Sequence, residues 1–303
     1  MIADISYLIL NYNPAGEAVA QKVLGDTIES LYTRKSRFLR SEVLLLDQGT
    51  TCDHRHWLVQ MQEQYGFSAI LLNRNIGISG AVNFFVRTTR SPVVALITSD
   101  VVITQGMDED LFRKVEIAEV YQATPFTDRS DLNYQTWLPD EPFGSETVNL
   151  EPLKRKQRSW FANVLERPQV RYLRCIGTEL NVIFWPRRAF DRIGYFDERW
   201  RACHEINDFS LRCFLDGGCT AVSSDSFVWH HHKMTSKSGA IDQLYASNRW
   251  PEESRAKWDQ KWPQIDNYID IYKPLKSKTI DHFKEFRGRF HHNLFLPFEQ
   301  VSG

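Results

Sequence analysis

Short, continuously apolar runs recur through the first hundred residues, each closed by polar side chains: 5–10 (ISYLIL), 42–46 (EVLLL), 68–72 (SAILL) and 93–98 (VVALIT). Their length and lack of alternation fit strands covered on both faces. Amphipathic stretches at 25–32, 57–65, 81–89 and 108–119 read as helices, with turn signals such as Pro14 and Gly16 between elements. Strand and helix in alternation, with short connections, predict an α/β fold whose mostly parallel central sheet is flanked by helices. Three of the strands run into polar residues: Asn11 and Asn13, Asp47, and Ser99 with Asp100. The carboxyl ends of such strands form the ligand crevice, which makes Asp100 the most informative residue of the chain.

Periodicity fails over 124–170, which carries Pro125, Pro139, Pro142, Pro152 and Pro168, the acidic pair Asp140 and Glu141, and a basic run at 154–158. An excursion across the sheet surface is expected there. Regular pattern returns with a strand at 180–185, helices at 187–193 and 204–215, short strands at 219–222 and 226–230, and a helix at 242–260 broken by Pro251. This organisation predicts one domain over 1–262, divided into halves at 1–123 and 124–262, with a C-terminal extension at 263–303.

Composition narrows the possible partners. Thirty-seven basic residues against 38 acidic ones leave a formal charge of −1, which disfavours a nucleic-acid binder. The five cysteines have no CxxC spacing and read as reduced thiols of a cytoplasmic protein, not as a disulfide framework or zinc site. No apolar run reaches the roughly 18 residues of a membrane span. The aromatic, basic tail FKEFRGRFHHNLFLPF leaves three options open: covering the active site, joining a homo-oligomer, or docking on the inner membrane face. Docking is the weakest of these, because the apolar spacing is irregular.

Asp47, Asp100, the acids Glu205 and Asp208, and His230 are the side chains best suited to chemistry. Carboxylate and imidazole ligands on Mn2+ or Mg2+ suit a phosphate-bearing substrate, with Asp100 and His230 as the natural pair. The plain alternatives are a loop carboxylate or helix cap for Asp100 and a core or surface histidine for His230. Asp47, followed by Gly49 and Thr50, suits a base or ribose contact and equally an Asx-turn. Asn75, Gly77 and Gly80 lie in a loop that admits close backbone approach. GxGxxG, P-loop and GxSxG signatures are all missing. These residues alone describe a metal-assisted, nucleotide-using α/β protein.

The order of the pieces resembles family 2 inverting glycosyltransferases of GT-A (Rossmann-like) fold, rhamnosyltransferase-like branch. ISYLILNYN resembles the family's first strand and loop, LLLDQGTTCD its nucleotide element, and NRNIGISGAVN its N-x-G-x-x-x-x-x-N segment. ALITSDVVI is similar to the strand bearing the metal aspartate, IGYFDERWRACHEINDFSLRCFLDGG to the G-x-F-D-E and E-D region, FVWHHH to the late histidine strand, and SNRWPEESRAKWDQKW to the end of that branch. The resemblance implies a UDP-, GDP- or dTDP-sugar donor held by Asn11, Asn13, Asp47, Asp53, Asn75, Gly77, Gly80, Asn83 and Ser99. It also implies Mn2+ or Mg2+ on Asp100 and His230, and a hydroxyl acceptor on a glycan or glycoconjugate. Trp137, Trp160, Trp185 and Trp200 are candidates to stack on that acceptor, with core packing as the alternative for each. The chain departs from the family pattern where the catalytic aspartate falls on Ile206, so Glu205 is the first substitute for the base and Asp208 the second. Two other classes compete with sugar transfer: a nucleotidyltransferase, and a catalytically weak or non-catalytic nucleotide-sugar-binding protein.

Overall fold

The first half of the chain builds a parallel sheet from β1 (Ile5–Asn11), β2 (Ser41–Gln48), β3 (Ser68–Leu72) and β4 (Val93–Thr98), in the spatial order β3-β2-β1-β4. The computed structural model describes residues 2–130, 135–155, 172–175, 177–200, 203–231 and 250–263. Helices α1 (Ala18–Arg34), α2 (Cys52–Tyr65) and α3 (Gly77–Thr88) make the crossovers. The apolar runs are continuous because both sheet faces are covered. Tyr7, Ile9, Val43, Leu45, Ala95 and Ile97 pack with Leu24, Ile28 and Leu31 of α1. Their neighbours Leu8, Leu44, Leu46, Val94 and Leu96 pack on the other face with Ala81, Val82 and Phe85 of α3.

All three helices begin earlier than the apolar period predicts. Their first turns carry few core residues and are fixed by the loops before them. The Asn13 side chain bonds both backbone groups of Glu17, at 3.0 and 3.1 Å, ahead of α1. Asn75 Oδ1 accepts from Gly77 N at 2.7 Å, so α3 starts at Gly77 and not at residue 81.

The second half corrects the expectation of a mostly parallel sheet. It comprises β5 (Val101–Ile103), α4 (Met107–Glu116), β6 (Val120–Thr127), β7 (Tyr172–Cys175), β8 (Val182–Pro186), α5 (Arg187–Ile193), α6 (Glu205–Leu215), β9 (Cys219–His230) and α7 (Trp250–Lys261). β8 inserts antiparallel between β4 and β6, β9 runs parallel to β6, and β5 and β7 both pair antiparallel with β9. Four pairings are therefore parallel and four antiparallel, and the sheet is mixed. Strand direction is invisible to hydrophobic pattern, since a run buried on both faces reads the same either way.

The end of β6, 124–127, lies in the stretch where periodicity fails, and Pro125 sits where its register with β9 shifts. The two short strands expected at 219–222 and 226–230 are one strand of 12 residues. Part of the expected excursion is visible in 135–155. There Trp137, Val148, Leu150 and Leu153 cover a cluster of Val102, Phe126, Val222, Phe227 and Trp229. Residues 156–171, which include Trp160 and most of the basic run, and the tail at 264–303 lie outside the described residues. No described helix is long and apolar enough to cross a membrane.

Candidate active site

The loops after β1, β2 and β3 meet at the carboxyl end of the parallel strands. Asp47 braces them from inside. Fully buried, it accepts a 2.8 Å bond from Asn11 Nδ2, a 3.2 Å bond from the Thr50 amide and one from the Thr50 hydroxyl, with Arg55 Nε 3.8 Å away. The bond to the Thr50 amide spans three residues, so it fixes the loop locally without being the two-residue Asx-turn. Arg55 extends to the Leu72 carbonyl and to Asn73 Oδ1 at 3.4 Å, and Gln48 Oε1 accepts from Ile76 N at 2.9 Å. These bonds fasten the Asn75–Gly77 loop to the β2 loop. Gly49 makes the approach possible: its φ is +98°, and a Cβ there would lie 3.3 Å from Arg74 Cα.

Other expected donor residues separate into two groups. Asn11, Asn13 and Asn75 line the same junction, Gly77 and Gly80 begin α3, and Asp53 is exposed on the first turn of α2. Asn83 is a strut. Its amide bonds both backbone groups of the next loop, to Phe196 O and from Phe196 N at 2.9 Å each, and also reaches Glu198 Oε1 at 2.9 Å. The sequence reading missed His54. It is buried beside Asn11, with its ring centroid 5.1 Å from that of Trp57, and its Nδ1 has no partner among the described residues. Starting α2 at Cys52 would have placed His54 and Arg55 on the helical turn facing Asp47.

Asp100 and His230 come together because β5 pairs with β9. The register sets Val101 opposite His230, and His231 N donates to the Asp100 carbonyl at 2.9 Å. Asp100 Oδ2 then lies 3.3 Å from His230 Nε2. Ser99, also buried, immediately precedes this pair. His230 is fixed from behind: Asp128 Oδ1 accepts from its backbone N at 2.8 Å, and its Nδ1 lies 3.0 Å from the Arg129 carbonyl. A proton on Nδ1 donated to that carbonyl leaves Nε2 directed at Asp100. Burial disfavours the imidazolium, but the Asp100 carboxylate outweighs it and raises His230 to about 8. Burial likewise disfavours the Asp100 carboxylate, yet His230 holds it below its ordinary value. Among the described residues no third His, Cys, Asp or Glu completes a cluster with them. One carboxylate and one imidazole are donors of a kind that would fit a divalent cation needing further oxygen ligands from elsewhere.

The acids of α6 have opposite environments. Glu205 opens the helix after a turn in which Cys203 and His204 take φ of 64° and 66°, a left-handed conformation costly for residues other than glycine. Its carboxyl is buried, Oε2 has no partner among the described residues, and desolvation pushes its pKa up to about 7. Ile206 turns into the core beside Phe196 and Phe209. Asp208 is fully buried and saturated, with Arg212 Nε at 3.0 Å, Lys261 Nζ at 2.7 Å and Trp262 Nε1 at 2.9 Å. Burial opposes its charge, but Lys261 and Arg212 hold its pKa below normal. Asp208, the second candidate base, thus sits in a buried ion-paired cluster joining α6 to α7.

The tryptophans are mostly core. Trp185 is buried among Phe190, Phe196 and Phe209 and donates to Gln122 Oε1 at 2.8 Å, so it is not an acceptor platform. Trp200 lies buried in a cluster with His204 and Trp258, and Trp137 is half-buried over the Phe126 cluster.

The fold has relatives among solved structures. GalNAc-T7 with UDP, GalNAc and Mn2+ superposes with a TM-score of 0.56 at 14% identity, over 76% of this chain and 44% of that one. The mannosyltransferase PcManGT from Pyrobaculum calidifontis, in complex with GDP-Man and Mn2+, gives 0.54 at 11%, over 76% and 57%. S. aureus TarS 1-349 gives 0.51 at 13%, over 75% and 60%. The chain thus spans 44% to 60% of the length of these proteins, and at such identities the likeness is one of fold. No curated protein matches the sequence. The profile of Glycosyl transferase family 2 matches residues 6–173, more than half of the sequence, and by that match the chain belongs to glycosyl transferase family 2.

Proposed function

We propose that the protein is a metal-dependent inverting glycosyltransferase that moves a sugar from a nucleotide-sugar donor to a hydroxyl of a glycan or glycoconjugate. The observation that carries this reading is the pairing of Asp100 with His230 at 3.3 Å, with His230 held in place from behind by Arg129 and Asp128. Mn2+ or Mg2+ would be held by these two side chains and, when bound, would offset charge on the departing diphosphate. The structural relatives bound to UDP or GDP-Man with Mn2+ support the same donor class.

The donor would lie over the loops braced by Asp47, with Asn11, Asn13, Asp53, Asn75, Gly77, Gly80 and Ser99 around it and the base against the Asp47 side. Asn83 would act at one remove by fixing the 196–198 turn. Glu205 is the base. Its unpartnered oxygen can take the proton of the acceptor hydroxyl as that oxygen bonds to the anomeric carbon and the bond to the nucleoside diphosphate breaks. A carboxyl raised towards neutral pH is a better proton acceptor than an ordinary one and still ionises under working conditions.

The residue in the family's usual base position, Ile206, favours a second reading in which the protein binds a nucleotide sugar without transferring it. Hydrolysis of UDP-, GDP- and dTDP-sugars with Mn2+, compared between the unaltered protein and Asp100→Ala, separates the two. Mn2+-dependent hydrolysis lost in Asp100→Ala supports the enzyme. Donor binding with no hydrolysis or transfer supports the second reading. A dTDP-rhamnose preference would extend the reading to the rhamnosyltransferase-like branch.

A further inference from the structure

Helix α7 is the last described element, and it grips the segment that carries Glu205 at several points. The Trp258 ring stacks on His204 with centroids 4.9 Å apart and planes 25° apart. Trp200, just before the turn, lies 6.4 Å from Trp258. Lys261 Nζ bridges Asp197, at 2.9 Å, and Asp208, at 2.7 Å, and Lys257 Nζ donates to the Arg199 carbonyl at 3.1 Å. Trp258, Trp262 and Ser254 are buried although most of α7 is polar. The left-handed turn at Cys203 and His204 has to be held by its surroundings, because its own backbone does not favour it. The stacked Trp258 ring faces it, and the Trp200 ring meets His204 edge-on at 6.3 Å.

We propose that Trp258 and Lys261 are positioning residues for the transfer reaction. Trp258 holds the strained Cys203–His204 turn through the His204 ring, Lys261 ties the ends of the same segment together, and the two fix where the Glu205 carboxylate stands. The inference rests on Glu205 as the base. Neither residue touches substrate. Both reach the reaction through the backbone that delivers one carboxylate, so their loss moves that group without altering the loops at the other end of the chain.

The test uses the full chain with UDP-GlcNAc, GDP-mannose and dTDP-rhamnose as donors in Mn2+, following hydrolysis with the donor turned over fastest. It also measures hydrogen exchange in peptides across 203–210. Trp258→Leu and Lys261→Met are expected to lower kcat roughly 10- to 100-fold. The donor KM should stay within about twofold, the pattern of an interaction felt only in the transition state. Trp258→Phe, which keeps a stacking ring, should recover most of the rate. Exchange across 203–210 should accelerate in Trp258→Leu while β1 to β4 stay protected. The proposal is overturned if kcat survives in both variants, if KM and kcat are lost together, if Leu serves as well as Phe, or if exchange across 203–210 is unchanged. Glu205→Gln is run alongside. Retained hydrolysis there removes the base assignment alone, and the exchange result still decides whether α7 holds the turn.

Discussion

His230 Nε2 faces Asp100 Oδ2 at 3.3 Å because Val101 and His230 are register partners across β5 and β9. A strand of three residues thus joins a carboxylate from the first half of the chain to an imidazole from the second. The Arg129 carbonyl holds the imidazole at Nδ1, and Asp128 Oδ1 holds the His230 backbone N–H. Supporting contacts of this kind are commonly worth 10- to 100-fold in metal affinity, so Asp128→Ala should raise the Mn2+ concentration for half-maximal activity by about that factor. A Mn2+ titration read by activity and by thermal shift checks this. An unchanged midpoint would remove Asp128 from the metal site.

Glu205→Gln should cut transfer by about 100-fold or more while leaving donor affinity near its original value. In the unaltered protein the base must be ionised. Burial pushes Glu205 up to about 7, so kcat should fall about tenfold per pH unit below that point. A rate profile flat between pH 5 and 8 would assign the base elsewhere.

The same carboxyl leaves a mark on stability. Its folded pKa exceeds the ordinary value, so the folded state holds the proton more tightly. The contribution is fully present below about pH 4.5 and is lost as pH rises through about 7. Glu205→Gln should therefore raise Tm at pH 8, by roughly 2–8 °C, and the gain should shrink towards pH 5. Equal gains at both pH values would contradict a buried, titrating Glu205.

Asp208 is expected to behave as structure. Asp208→Ala takes the buried counter-charge from Arg212 and leaves Lys261 with Asp197 alone, a loss on the order of 3–5 kcal/mol. Chemical denaturation measures it. A variant as stable as the original would return Asp208 to the list of candidate bases.

Gly49→Ala should act locally. The added methyl would meet the Arg74 backbone at 3.3 Å, at a φ of +98° that alanine disfavours. The strain is roughly 1–3 kcal/mol and falls on the junction of the donor loops, so donor binding should weaken more than global stability. Isothermal titration with the preferred donor, set against denaturation, reports the difference.

The sequence by itself determined the four parallel strands, their polar ends and the ordered motifs of the family. Runs such as VVALIT are continuous because α1 and α3 cover opposite sheet faces, and that requirement is written locally in the chain. Asp100 was legible for the same reason, as the polar stop of a buried run. Only the tertiary structure decided that the sheet is mixed, that 219–230 is one strand, and that Glu205 and Asp208 have opposite fates. Spacing puts both acids on the first turns of α6, but their chemistry is set by what lies beside them. Among the described residues Glu205 Oε2 faces no partner, whereas Asp208 meets Lys261 and Trp262 from α7 and its end. Burial and counter-charge come from residues distant in sequence, so the desolvated carboxyl could be told from the ion-paired one only once the chain had folded around them.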